Sequence, residues 1–291
     1  MSLLGELTYF LSLQVQQNND VIFLSQTKYL KQILKKYGME DSKLLCTPMV
    51  TGCCLSSNDE STTVHQPTYR SMIGSLLFLT GTRPDIMHAV GIVERFQENP
   101  KESHLQLVKR IFKYLQGTQN FGLWYPRDTN LTLHAYTYAD WVGSVDDRKS
   151  TSGGAFYMGS MLVSWFSKKQ SLIALSTAEV EYVVVASFCT QLLWMMQTLQ
   201  DIHITCTPPI SILCDNTSAI SISKNPVMHS KTKHIPIKYH FLREQVLEQK
   251  VKLEYVPSKE QVADIFTKPL PRETFEYLRQ KLGVAATSSC C

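Results

Sequence analysis

Several features that would assign this chain quickly are scarce or missing. Charged residues are only 19% of its 291 positions and the net charge is +4, too sparse for a disordered or highly solvated chain. Its eight cysteines, Cys46, Cys53, Cys54, Cys189, Cys206, Cys214, Cys290 and Cys291, form no CxxC pair and no Cys/His ligand spacing. That argues against a zinc module and a secreted disulfide scaffold, and predicts reduced thiols. No apolar run approaches the ~18 residues of a membrane span, and Met1-Ser2-Leu3-Leu4-Gly5-Glu6 lacks the charged start and apolar core of a secretory leader. The expectation is an intracellular protein, cytoplasmic or nuclear, neither secreted nor bound to a membrane.

What is present can fill a core: 44% of residues are hydrophobic and 10% aromatic, over a length of about two domains at ~150 residues each. Alternation at Tyr9, Leu11, Leu13 and Val15, a break at Asn18-Asn19-Asp20 and the run Val21-Ile22-Phe23-Leu24 predict a hairpin. Ser25 is expected to cap a helix carrying Tyr29, Leu30, Ile33, Leu34 and Tyr37, which Gly38 ends. An exposed connector over 44–67 precedes helices predicted at 69–80, 85–96 and 102–115. After Pro126 strands follow at 131–140, 154–158 and 162–166, then a helix over 177–200, a strand at 210–214, helices at 217–223 and 237–248, a strand at 251–256 and a last helix from about 260. The order describes an α/β mixed sheet with flanking helices, preceded by a mainly helical region with an N-terminal β-hairpin. We divide the chain at 1–126 and 127–283, with 284–291 read as a disordered tail.

Carboxylates collect in the second part. Asp140 ends a predicted strand, Glu181 lies one turn into the long helix, and Asp264 sits between Val262-Ala263 and Ile265-Phe266. Asp215 directly follows the apolar strand Ile212-Leu213-Cys214, at the sheet edge where α/β folds hold ligands, although it could equally cap the next helix. Glu179 fits a capping box begun by Ser176. A stretch without acids carries Lys224, Lys231, Lys233, Lys238 and Arg243, leaving −1 for the rest of the chain. With His234, Tyr239 and His240 interleaved, it suits phosphate contact and stacking, or simply a solvated face. His234 and His240 would form a metal pair only in an extended segment. Gly153-Gly154 reads as a turn, and Trp165 and Trp194 as core.

Five ordered motifs carry a family resemblance: Tyr138-Ala139-Asp140-Trp141-Val142-Gly143, Asp147-Arg148-Lys149-Ser150-Thr151-Ser152-Gly153-Gly154, Ser176-Thr177-Ala178-Glu179-Val180-Glu181-Tyr182, Cys214-Asp215-Asn216 and Ala263-Asp264-Ile265-Phe266-Thr267-Lys268-Pro269-Leu270. Together they resemble the ribonuclease H domain of copia-type (Ty1/copia) LTR retrotransposon Pol polyproteins. The first half is similar to the part of their reverse transcriptase beyond the palm, through Gln26-Thr27-Lys28-Tyr29-Leu30, Arg70-Ser71-Met72-Ile73-Gly74-Ser75-Leu76-Leu77 and Thr82-Arg83-Pro84-Asp85-Ile86.

The resemblance implies a ribonuclease H-like fold that hydrolyses the RNA of RNA–DNA hybrids with two Mg²⁺ ions held by carboxylates. By motif its acids fall on position 138, Glu181, Asp215 and Asp264, with Asp140 as a further candidate ligand. At 138 the family pattern has Asp before Ala-Asp-Trp, whereas this chain has Tyr138. A phenol with a pKa near ~10 is neutral and offers one oxygen instead of two, so activity is expected to be weak or lost. A rival reading is a non-catalytic nucleic-acid-binding remnant, and a third is a decayed copy with no selected function. The family's polymerase palm would lie upstream, so no nucleotide addition is expected, and upstream polyprotein segments are expected partners. Val145-Asp146-Asp147 only imitates the polymerase aspartate pair, because Arg148-Lys149-Ser150 follows it instead of an apolar strand.

Overall fold

A computed structural model describes residues 8–127, 130–141, 143–171, 176–224 and 241–287. The chain divides into two compact units, one of 1–128 with 269–291 and one of 129–268.

The first unit is more than a hairpin with helices. Strands β1 (Tyr9–Phe10), β2 (Leu13–Gln17), β3 (Val21–Ser25), β4 (Phe121–Pro126) and β10 (Val284–Ala286) form one antiparallel sheet in the order β1-β2-β3-β4-β10. β10 pairs Val284 with Leu123, so the expected tail at 284–291 begins as a strand, and the segment from 269 belongs to this unit instead of extending the second one to 283. Helices α1 (Thr27–Lys36), α2 (Gln66–Leu79), α3 (Met87–Glu94), α4 (Glu102–Gln116) and α8 (Arg272–Lys281) complete the unit. They bury Leu30, Ile73, Val90, Ile111, Phe112 and Leu278. Ser25 ends β3 instead of capping α1.

One family-like motif of this half, Thr82-Arg83-Pro84-Asp85-Ile86, turns out to be wholly interior. Arg83 is fully buried, and its Nε and Nη2 donate to the two oxygens of Asp85 at 3.0 and 2.8 Å. Its Nη1 donates to the Thr118 carbonyl at 2.9 Å, and the Tyr114 hydroxyl donates to Asp85. Burial alone would raise the Asp85 pKa, but the Arg83 charge and hydrogen bonds hold it below the usual value. Next to this pair, the Thr82 hydroxyl donates to buried Gln26 at 2.8 Å.

The second unit has a five-stranded sheet in the order β7-β6-β5-β8-β9. β5 (Leu133–Asp140), β6 (Thr151–Met158) and β7 (Met161–Lys169) run antiparallel, while β5, β8 (Ile210–Cys214) and β9 (Val251–Tyr255) run parallel. α5 (Thr177–Asp201), α6 (Thr217–Lys224) and α7 (Phe241–Leu247) accompany it. α5 is long and apolar enough to cross a membrane by length and composition alone, yet it packs Val180, Val184, Phe188 and Leu192 into the core with Ala135, Phe156 and Ile212. Its last turns still rest Leu193, Met195, Met196 and Leu199 against that core, but Trp194 is 63% exposed instead of buried.

Gly153 and Gly154 are strand residues within β6, paired with Tyr138 and Thr137, and not a turn. A Cβ on Gly154 would stand 1.6 Å from the Phe188 ring, and one on Gly153 would stand 2.5–2.9 Å from Thr267, Phe266 and Ala263. One glycine therefore admits α5, and the other admits the segment that carries Asp264.

Candidate active site

Strand alternation buries Thr137 and Ala139 and leaves Tyr138 and Asp140 together on the opposite, half-buried face of β5. Asp215 follows the parallel neighbour β8, and α5 supplies Glu181. Tyr138, Asp140, Trp141, Glu181, Asp215 and Asn216 line one cavity of about 410 Å³, at the carboxyl end of the parallel strands.

Glu181 is 3% exposed. One of its oxygens accepts the Ala139 N–H at 2.8 Å, and the other faces the Cys214 thiol at 3.9 Å. Burial pushes its pKa up to about 8, against the Ala139 amide and with help from the charges of Asp215 and Asp264. Asp215 accepts the Ser258 hydroxyl at 2.9 Å. It does not cap α6, because Asn216 Oδ1 takes the Ala219 N–H at 3.0 Å.

Asp264 does not open the final helix. It lies in a 3₁₀ turn, Val262–Phe266, ahead of α8. Fully buried Gln261 sets that turn: its Oε1 accepts the Ala263 N–H at 3.3 Å and its Nε2 donates to the Thr137 carbonyl at 3.0 Å. Asp264 Oδ2 pairs with Lys268 Nζ at 2.9 Å, while Oδ1 is buried with no hydrogen-bond partner among the described residues. Burial pushes this acid up to about 6, opposed by Lys268 and reinforced by Asp215 and Asp140. Lys268 also donates to the Tyr138 hydroxyl at 3.2 Å and lies 4.3 Å from that ring's centroid. Burial raises the pKa of Tyr138 and of Asp140, with Lys268 opposing in both cases.

The structure thus brings Tyr138, Asp140, Glu181, Asp215 and Asp264 into mutual range. Sequence reasoning missed Gln261, Gly153, Lys268 and the half-exposed Trp141 at the cavity. A glycine pair inside a strand-like run and a lysine four residues after Asp264 were the available signals. Of the expected nucleic-acid contacts, Lys231, Lys233, His234, Lys238, Tyr239 and His240 lie outside the described residues. Arg243 is a correction: it is 8% exposed, its Nε donates to the Ile222 carbonyl at 3.1 Å, and it lies 5.7 Å from the Tyr182 ring centroid. An amphipathic helix turned it inward. Asp147 of the imitation pair is held by Lys169 at 2.7 Å in the loop between β5 and β6.

The two-ion ligand set implied by the resemblance does not fit these side chains. Lys268 occupies one Asp264 oxygen, Glu181 is engaged by an amide and a thiol, and a phenol stands at 138. Among the described residues, no three Asp, Glu, His or Cys side chains are grouped as ligands of one ion.

No family model matches the chain. The retrovirus-related Pol polyprotein from transposon RE1 of Arabidopsis thaliana is 40% identical over 279 residues, covering 96% of this chain and 19% of that protein. The retrovirus-related Pol polyprotein from transposon TNT 1-94 of Nicotiana tabacum is 37% identical, covering 90% of this chain and 20% of its own length. The chain spans about a fifth of the length of these relatives. A solved structure, the N-terminal RNase H domain of rv2228c from Mycobacterium tuberculosis fused to maltose binding protein, shares 10% identity over 52% of this chain and 97% of that one, at a TM-score of 0.32, too low to carry weight. By its sequence relatives, the chain belongs to the copia-type retrotransposon Pol polyproteins.

Proposed function

We propose that the second unit is a ribonuclease H-like domain acting on RNA–DNA hybrids, that the first is the reverse transcriptase region beyond the palm, and that hybrid cleavage is impaired in this chain. The observation carrying the reading is Tyr138 at the end of β5, its hydroxyl held by Lys268, beside three buried or half-buried acids that lean on one another. Mg²⁺ is the cofactor the family implies, and its ligand set is incomplete here. Asp140 lines the same cavity but enters two residues later, displaced by two rises of ~3.3 Å. Misplacement by ~1 Å can cost ~10²-fold, so it makes a weak substitute.

Lys268 at Asp264 favours a second reading, a nucleic-acid-binding module that no longer cleaves. Both readings use the basic stretch for phosphate contact, with little sequence preference. The test incubates a labelled hybrid with the chain in Mg²⁺ and in Mn²⁺. Cleavage near background with salt-sensitive binding is expected. Robust cleavage lost in Glu181→Ala would contradict impairment, and failure to bind any nucleic acid would contradict both readings.

A further inference from the structure

We propose that the Lys268 ammonium is a built-in cation of the carboxylate cluster, holding the Asp264 side in place of a divalent ion, so that this chain folds without metal there. One atom makes three contacts: 2.9 Å to Asp264 Oδ2, 3.2 Å to the Tyr138 hydroxyl and 4.3 Å to the centre of the Tyr138 ring. The ring face and the hydroxyl oxygen both favour positive charge. Asp264 lies within electrostatic range of Glu181, Asp215 and Asp140, and Glu181 within range of Asp215, and acids this close need a counter-charge to coexist. Among the described residues, Lys268 is the cation that acts on Tyr138, Asp140 and Asp264 alike. A phenol at 138 suits an ammonium, whereas an ion site would call for a carboxylate. The inference grows from the misfit between the implied ligand set and the side chains present, and it holds whether or not hybrids are cleaved.

The test uses the full chain with Mn²⁺ as probe, reading bound ion by electron paramagnetic resonance and stability by Tm. Wild type should keep the same Tm in EDTA and in millimolar Mn²⁺, within about 1 °C, with no tight ion. Lys268→Met keeps the stem and removes the charge. It should melt lower in EDTA, bind Mn²⁺ at least about tenfold more tightly than wild type, and gain roughly 5 °C or more when saturated. Adding Asp264→Asn should abolish that gain. If Lys268→Met does not fold in EDTA, recovery on refolding with Mn²⁺ supports the inference, and failure to recover contradicts it. Tight Mn²⁺ uptake with a raised Tm in wild type, or a Lys268→Met chain that matches wild type in both readouts, would overturn it.

Discussion

Asp85 and Asp264 are both buried, and each has a basic partner at nearly the same distance, Arg83 at 2.8 Å and Lys268 at 2.9 Å. Their chemistry differs all the same. Both Asp85 oxygens are satisfied, by the arginine fork and the Tyr114 hydroxyl, and its pKa is held low. Asp264 keeps one oxygen that has no partner among the described residues, faces other acids, and is pushed up to about 6. A buried acid whose two oxygens are both engaged is scaffold. One left short of partners beside like charges is the form a functional site takes.

Breaking the satisfied pair should do the most damage. Asp85→Ala leaves Arg83 buried and uncompensated, a loss of about 3–5 kcal/mol for the first unit, readable as a shifted urea midpoint. Gly154→Ala should cost about 1–3 kcal/mol in the second unit through the Phe188 ring, or displace α5; a Tm unchanged from wild type would mean that the glycine is not needed there.

Acid titration sharpens the contrast. The folded pKa values of Glu181 and Asp264, about 8 and about 6, exceed their ordinary values of 4.5 and 3.8. The folded state therefore binds more protons across that window, and the stability these acids contribute is present below about pH 4 and lost as pH rises through 6 and then 8. Asp85 has the opposite sign and loses its contribution as pH falls below its ordinary value of 3.8. In EDTA, Glu181→Gln should shrink the stability difference between pH 5.5 and pH 8.5 by on the order of 3 kcal/mol. The smallest effect concerns binding. Neutralising Lys231, Lys233 and Lys238 should flatten the log–log salt slope by about 0.9 per lost phosphate contact, while Arg243→Gln, removing a buried guanidinium, should leave the slope alone and lower stability instead.

Local pattern made much of this legible. Alternation located β5 and set Tyr138 and Asp140 on one face, helical spacing located α5, and the apolar strand before Asp215 pointed to a sheet edge. What stayed hidden depends on partners far away in the chain. β4 contains Gly122 and ends in Pro126, so it resembles a connector until β3 and β10 pair with it. Gly153 and Gly154 look like a turn unless Phe188 and Phe266 are known to press on them. The role of Lys268 requires a ring 130 residues away, and Arg243 reads as surface until Tyr182 and Ile222 enclose it.

The most direct measurement of the central claim compares hybrid cleavage by the wild-type chain and by Tyr138→Asp under the same Mg²⁺ conditions. A missing carboxylate in such a site costs several kcal/mol of transition-state stabilisation, a rate factor of order 10³. The wild type should stay near background, Tyr138→Asp should cleave about 10³-fold faster, and Glu181→Ala added to it should abolish the gain. Equal cleavage by wild type and Tyr138→Asp, well above background, would contradict the account.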